Sequence, residues 1–140
     1  MNTSFETFLQ RFEEANTAFV NGDPSLWLPM VSRSEQSSIF GGFGGQEVGW
    51  SEIESRYRWA SSQFRDLGGT VEFEYLDKYV GADTAYTVAI ERCTVQHISR
   101  PEPVPHELRA TMIFRLEDGE WKITHRHADP LSPKSSPSGP

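Results

Sequence analysis

A chain of 140 residues is one domain by length, long enough to bury about two thirds of the surface its unfolded form exposes. Its 36% hydrophobic and 12% aromatic content supplies a ring-rich core and argues against wholesale disorder. A formal charge of −7 argues against a general nucleic-acid binder and against electrostatic attachment to anionic membranes, since both draw affinity from Lys and Arg.

Cys93 is the single cysteine, so an intrachain disulfide and a Cys-based zinc site within one chain are excluded. The first residues, MNTSFETFLQRFEEANTAF, are acidic and amphipathic, unlike a signal peptide. No apolar run approaches the ~20 residues that span a bilayer. A soluble, cytoplasmic protein is expected.

The first helix is predicted over about residues 4–21. Phe5, Phe8, Leu9, Phe12, Ala15, Phe19 and Val20 form one stripe at helical spacing, with Ser4 or Thr3 as cap and Asn21-Gly22 as stop. A second, short helix is predicted from Asp23-Pro24, carrying Leu26, Trp27 and Met30. Residues 36–41 read as a short strand, followed by the glycine-rich GGFGG of Gly41–Gly45. The third helix is predicted from Ser51, with Glu54 completing a capping box, to Phe64, with Ile53, Tyr57, Ala60 and Phe64 inward.

From Thr70 the pattern is that of an antiparallel sheet. A first strand alternates through Val71, Phe73, Tyr75, Asp77 and Tyr79, and a second runs from Ala85 to about Ile98. After the proline-rich SRPEPVP loop, a third strand over 106–116 places Leu108, Ala110, Met112, Phe114 and Leu116 on one face. Asp118-Gly119 is a tight-hairpin signal, and strict alternation after it puts Trp121, Ile123, His125, His127 and Asp129 on one face. A face that turns from apolar to ionisable reads as a pocket wall. Residues 132–140 read as a disordered tail after a single domain over 1–131.

The order of helices before a meander, GGFGG with Glu47, Gly49 and Trp50, the strand AYTVAIER and the ending DGEWKITHRHADP together resemble the SnoaL-like group. That group belongs to the superfamily of nuclear transport factor 2 and ketosteroid isomerase. The resemblance implies a cone-shaped α+β fold: three N-terminal helices packed on a strongly curved, mainly antiparallel sheet that encloses a cavity. It also implies a homodimer through the outer sheet face. Its members include cofactor-free isomerases, cyclases and dehydratases as well as binding modules, so the fold locates a site better than it names a reaction. The isomerase constellation does not transfer, because the first helix offers phenylalanines where a tyrosine is wanted. The ending implies that the last strand lines the cavity.

Within that frame His127, with Asp129 or Glu91, is the candidate for proton transfer. His125 and Arg92 are candidates to hold a ligand oxygen, and Trp50, Tyr75, Tyr57 and Met112 are candidate ligand-binding walls. Three roles are open to the histidine pair: acid–base work, metal ligation with Asp129, or plain hydrogen bonding at a rim or seam. Strand parity leaves open whether Glu91 or Arg92 faces inward. GGFGG lacks the Gly-Lys-Ser/Thr of a phosphate loop and reads as close packing or a mobile lip at the cavity mouth. The expected partner is a small apolar or aromatic molecule, with no cofactor, metal, nucleic acid or membrane. Two functions stand side by side: a cofactor-free enzyme, and a non-catalytic dimeric binding module.

Overall fold

The structure, a computed structural model, describes residues 4–135. Helix α1 (Phe5–Val20) starts at Ser4, whose Oγ accepts from the Thr7 N–H at 3.1 Å. Its stripe is buried as its spacing predicts, except that Phe19 is only partly buried, and the polar Asn16 is buried within it. The helix stops at Asn21, whose amide also binds the 67–69 turn. Gly22 follows at φ 95°, where a Cβ would stand 2.8 Å from the Phe64 carbonyl oxygen, so no other residue fits.

The short second helix is a correction. Only a 3-10 turn forms, over Leu28–Met30, because Pro29 has no N–H to extend a ladder and Val31 is already extended to bridge Ile123. Among the described residues there are therefore two α-helices, not three. Strand β1 (Ser38–Phe40) follows, then β2 (Glu47–Val48). Helix α2 (Trp50–Ser62) begins one residue earlier than expected: Gly49, at φ 89°, is the cap, and Glu52 accepts the Val48 N–H at 3.2 Å. Ser51 therefore lies inside the helix, and Phe64 falls in strand β3 (Phe64–Arg65).

The meander is as the alternation predicts: β4 (Glu72–Val80), β5 (Thr84–His97), β6 (Val104–Glu117) and β7 (Glu120–Pro130). Asp118 and Gly119 both take positive φ, 51° and 81°, as a two-residue hairpin requires. The sheet runs β2-β1-β7-β6-β5, with β4 and β3 both pairing β5. Among the strands of the described residues only β1 and β7 pair in parallel, and the Val31–Ile123 bridge continues that direction. The sheet is strongly curled into a half-barrel. Inside it the Phe5, Phe8 and Phe12 rings of α1 meet Phe114 of β6 at centroid distances of 5.1, 5.5 and 5.8 Å. Each such ring contributes roughly 1.5–3 kcal/mol by leaving water.

Two bulges decide which side chains face that interior. Leu76 is unpaired in β4, between Tyr75 opposite Ala89 and Asp77 opposite Val88. Thr124 is unpaired in β7, between Ile123 opposite Phe114 and His125 opposite Ile113. Each extra residue reverses the alternation beyond it. Residues 132–135 are exposed and carry no helix or strand; Thr3 and residues 136–140 lie outside the described residues. Among the described residues no helix is long and apolar enough to cross a membrane.

Candidate active site

The Thr124 bulge corrects the reading of the last strand. Trp121 and Ile123 face inward as expected, but beyond the bulge Arg126 and Ala128 are the buried residues. His125, His127 and Asp129 are turned to the outer face. His125 Nδ1 sits 2.7 Å from Ser38 Oγ, and the Phe40 ring packs edge-on against both imidazoles. His127 has a half-exposed side chain, and Asp129 is held by Arg109 through bonds of 2.7 and 2.9 Å. Burial above all, then His127, keeps the His125 pKa below the usual histidine value, while the hydrogen bond with Ser38 acts against them. The three residues are grouped, but outside the cone.

Parity on β5 is settled by its small residues. Ala85, Thr87, Ala89 and Glu91 are buried under α1, and Arg92 faces outward between Glu74 (2.7 Å) and Glu107 (3.2 Å). Arg92, a candidate to hold a ligand oxygen, therefore lies outside the cone. The Leu76 bulge likewise sends Asp77 outward, where Tyr86 donates to it at 2.9 Å.

The residue that takes the inner place on β7 is Arg126. Its Nη1 donates to Glu91 Oε2 and its Nη2 to Glu91 Oε1, both at 2.8 Å, and Asn16 Nδ2 adds a third bond to Oε1 at 3.1 Å. Burial opposes the Glu91 charge, but Arg126 and Asn16 together hold its pKa below the ordinary carboxylate value. A carboxylate so saturated is a weak base and a rigid structural anchor. Arg126 also places its guanidinium 5.4 Å from the centroid of the Trp27 ring and 3.3 Å from Met112 Sδ.

Above this pair lies a cavity of about 70 Å³. Glu91, Arg126 and Asn16 line one side, and apolar residues such as Ile39, Phe64 and Leu108 line the rest. Two buried polar atoms among the lining residues have no hydrogen-bond partner among the described residues: Trp27 Nε1 and Tyr57 Oη. The rings meet edge-on, 5.6 Å apart. Burial pushes the Tyr57 hydroxyl well above the usual tyrosine value; Arg126 and the nearby Trp27 N–H act against it, the latter outside hydrogen-bond geometry. Tyr57 therefore stays protonated, a donor at any physiological pH.

His106 of β6 also lines the cavity, with Phe64 packed on it at 5.5 Å. Burial above all, then His97 and Arg126, lower its pKa to about 4, so it is neutral near pH 7. Cys93 lies opposite His106 in the sheet and its thiol is pushed up to about 11 by burial and by Glu91.

Of the residues expected at the site, Glu91 and Tyr57 line the cavity. Met112 lies beneath it, touching Arg126. Tyr75 is on the inner face but away from the cavity, donating to Glu13 at 2.5 Å and stacked on Phe73. Trp50 is not a wall either; Arg33 lies over its ring at 4.9 Å. Arg126, Asn16, Trp27 and His106 are the residues that the alternation alone does not reveal. Asn16 carried a signal, since it stands four residues after Phe12 within the apolar stripe of α1. Among the described residues no group of three or more His, Cys, Asp or Glu side chains is placed to hold a metal ion.

The fold recurs in solved structures of low sequence identity. A nuclear transport factor 2-like superfamily protein from Salmonella enterica serovar Typhimurium superposes with a TM-score of 0.75 at 19% identity, covering 97% of this chain and 99% of that one. A ketosteroid isomerase-like protein from Erwinia carotovora atroseptica gives 0.67 at 16% identity, over 83% and 87% of the two chains. A provisionally named dehydratase of the same superfamily from Streptomyces avermitilis gives 0.67 at 19% identity, over 93% and 100%. No curated protein matches the chain in sequence. The family model of the SnoaL-like domain matches residues 2–132, nearly the whole chain, and the protein belongs to that family.

Proposed function

We propose that this protein binds a small, neutral, ring-bearing molecule inside the cone, with an oxygen of the ligand accepting from Tyr57 and Trp27. The observation that carries this reading is the pair of buried polar atoms without partners. An indole N–H can only donate, so what it lacks is an acceptor. Leaving a buried donor unpaired costs about 1–3 kcal/mol, which a carbonyl or ether oxygen in the cavity would recover. The ligand is neutral because the inner charges already cancel in the Glu91–Arg126 pair. Apolar walls supply the remaining affinity.

The same chemistry favours binding over acid–base catalysis. Glu91 is locked by three donors, and His106, with a pKa of about 4, is a weak base at neutral pH. The dehydratase name of one structural neighbour supports an enzymatic reading through its fold alone.

Titration with acetophenone and with α-methylstyrene, its shape-matched hydrocarbon, tests the proposal. The ketone binds about tenfold more tightly, equivalent to about 1.4 kcal/mol, and Tyr57→Phe removes most of that preference. Equal affinities in the parent protein would refute an oxygen-binding site.

A second feature supports pairing of two copies through the outer sheet face. There Leu76 is 60% exposed beside Val88 and Ile90, in a shallow concavity rimmed by Arg109, His127 and Asp129. Sedimentation of the parent protein and of Ile90→Lys checks this: a dimer that the substitution splits is the expected result, and a monomeric parent contradicts it.

A further inference from the structure

The glycine-rich segment Gly41–Gly45 joins β1 to β2 and carries one bulky side chain, Phe43. Gly41, Gly42 and Phe43 line the inner cavity, yet Phe43 is 39% exposed, so one residue touches both the interior and the solvent. Its ring rests edge-on against Trp59 at 5.2 Å and His97 at 6.2 Å, and tilted against Phe64 at 5.7 Å. Gly44 and Gly45 take positive φ, 88° and 75°, and no atom lies within 4 Å of a Cβ added at Gly41 or Gly44. At those two positions glycine is not required by close packing; what it supplies is backbone freedom on either side of the phenylalanine.

One side chain ties the segment down. Arg56 of α2 donates through Nη2 to the carbonyl oxygens of Phe43 (3.3 Å) and Gly44 (3.2 Å), pairs with Glu47 (3.4 Å) and lies over the Trp59 ring (4.4 Å). Glu47 Oε2 is buried without a partner among the described residues, so the far end of this tie is only half satisfied. A few long, partly exposed bonds and the contacts of one partly exposed ring are a low barrier to local opening.

We propose that Phe43 is the gate of the inner cavity and sets the size of molecule that reaches it, with Arg56 as the latch. A flexible hinge, a single bulky plug and a weak tie meet where the cavity abuts solvent through an exposed ring. Opening swings the ring off Trp59 and Phe64 and gives access to the space over Glu91 and Cys93. The purpose of the gate rests on the binding role proposed above, but its motion does not.

Cys93 reports on it without any ligand. It is the only cysteine, lines the cavity and is partly buried, so its alkylation rate measures passage past Phe43. Iodoacetamide and the bulkier N-phenylmaleimide are the probes, applied to the full chain at one pH. The parent reacts slowly, and far more slowly with the bulky reagent once each reagent's rate with a free thiol is divided out. Phe43→Ala raises both rates at least tenfold and removes most of the size discrimination. Arg56→Gln raises them several-fold, while Phe43→Trp keeps or deepens the discrimination. Urea midpoints of the variants, measured alongside, separate gating from general loosening. Unchanged rates in both Phe43→Ala and Arg56→Gln, or rates that merely track global stability, overturn the gate. Such a failure leaves the acetophenone result untouched, so the two proposals fall separately.

Discussion

Glu91 on β5 and Arg126 on β7 reach over the intervening strand β6 and close two 2.8 Å bonds inside the cone. They fasten both flanks of the curl to α1, since Asn16 joins the same carboxylate. Breaking such a pair strands a buried charge. Arg126→Met and Glu91→Leu are each expected to cost about 3–5 kcal/mol, whereas the double substitution costs markedly less than their sum. Urea unfolding of the two singles and the double checks this; additive losses would mean that the pair is not coupled.

Stability is expected to fall on acidification in two stages. His106 carries a folded pKa of about 4 against an ordinary 6.5, so the unfolded chain takes up the proton first. Its penalty is absent above about pH 6.5, grows as pH falls toward 4 and is constant below, reaching about 3 kcal/mol at most. His97 and His125, also held low by burial, add in the same direction. Glu91 is depressed, so its contribution is full above the ordinary value of 4.5 and is lost as pH falls through its folded pKa. Unfolding free energies between pH 7 and 5 should therefore decline in the parent and decline less in His106→Asn. An identical slope in the variant would assign the proton uptake elsewhere.

The Thr124 bulge makes a sharper claim about sequence and fold. Deleting Thr124 restores strict alternation, which would drive His125, His127 and Asp129 inward and expel Arg126 from Glu91. The deletion variant is expected not to fold, as read by loss of cooperative thermal unfolding. A stable, cooperatively folding deletion would show that the register tolerates either face.

His127→Ala is expected to leave stability within about 0.5 kcal/mol and affinity for acetophenone unchanged, because the side chain stands half-exposed on the outer face. Calorimetric titration is the check. A large loss of affinity would return the site to that face.

Most of the architecture was legible in the residues: the apolar stripe of α1, the Asp118-Gly119 turn and the alternation along β6 each correspond to what formed. The short second helix was not, because Asp23-Pro24 is a good start signal and only Pro29 and the bridge at Val31 end it after one turn. The site was half legible. Tyr57 follows from helical spacing; Glu91 was one of two alternatives, because parity left it and Arg92 equally open to the inner face until the burial of Ala85, Thr87 and Ala89 placed it. Arg126 was hidden because Ile123 and Thr124 are two neighbouring β-branched residues that both become buried, and nothing in a period-2 pattern marks which one is extra. One unpaired residue exchanged two histidines for one arginine.

The indole N–H of Trp27 gives the most direct test. In a proton–nitrogen correlation spectrum the four tryptophans yield four indole signals, and Trp27→Phe identifies the one that matters. The account predicts that acetophenone moves this signal downfield as its oxygen accepts the proton, and that α-methylstyrene does not. A Trp27 signal unmoved by saturating ketone, with shifts confined to the rings of His125 and His127, would contradict an inner binding site.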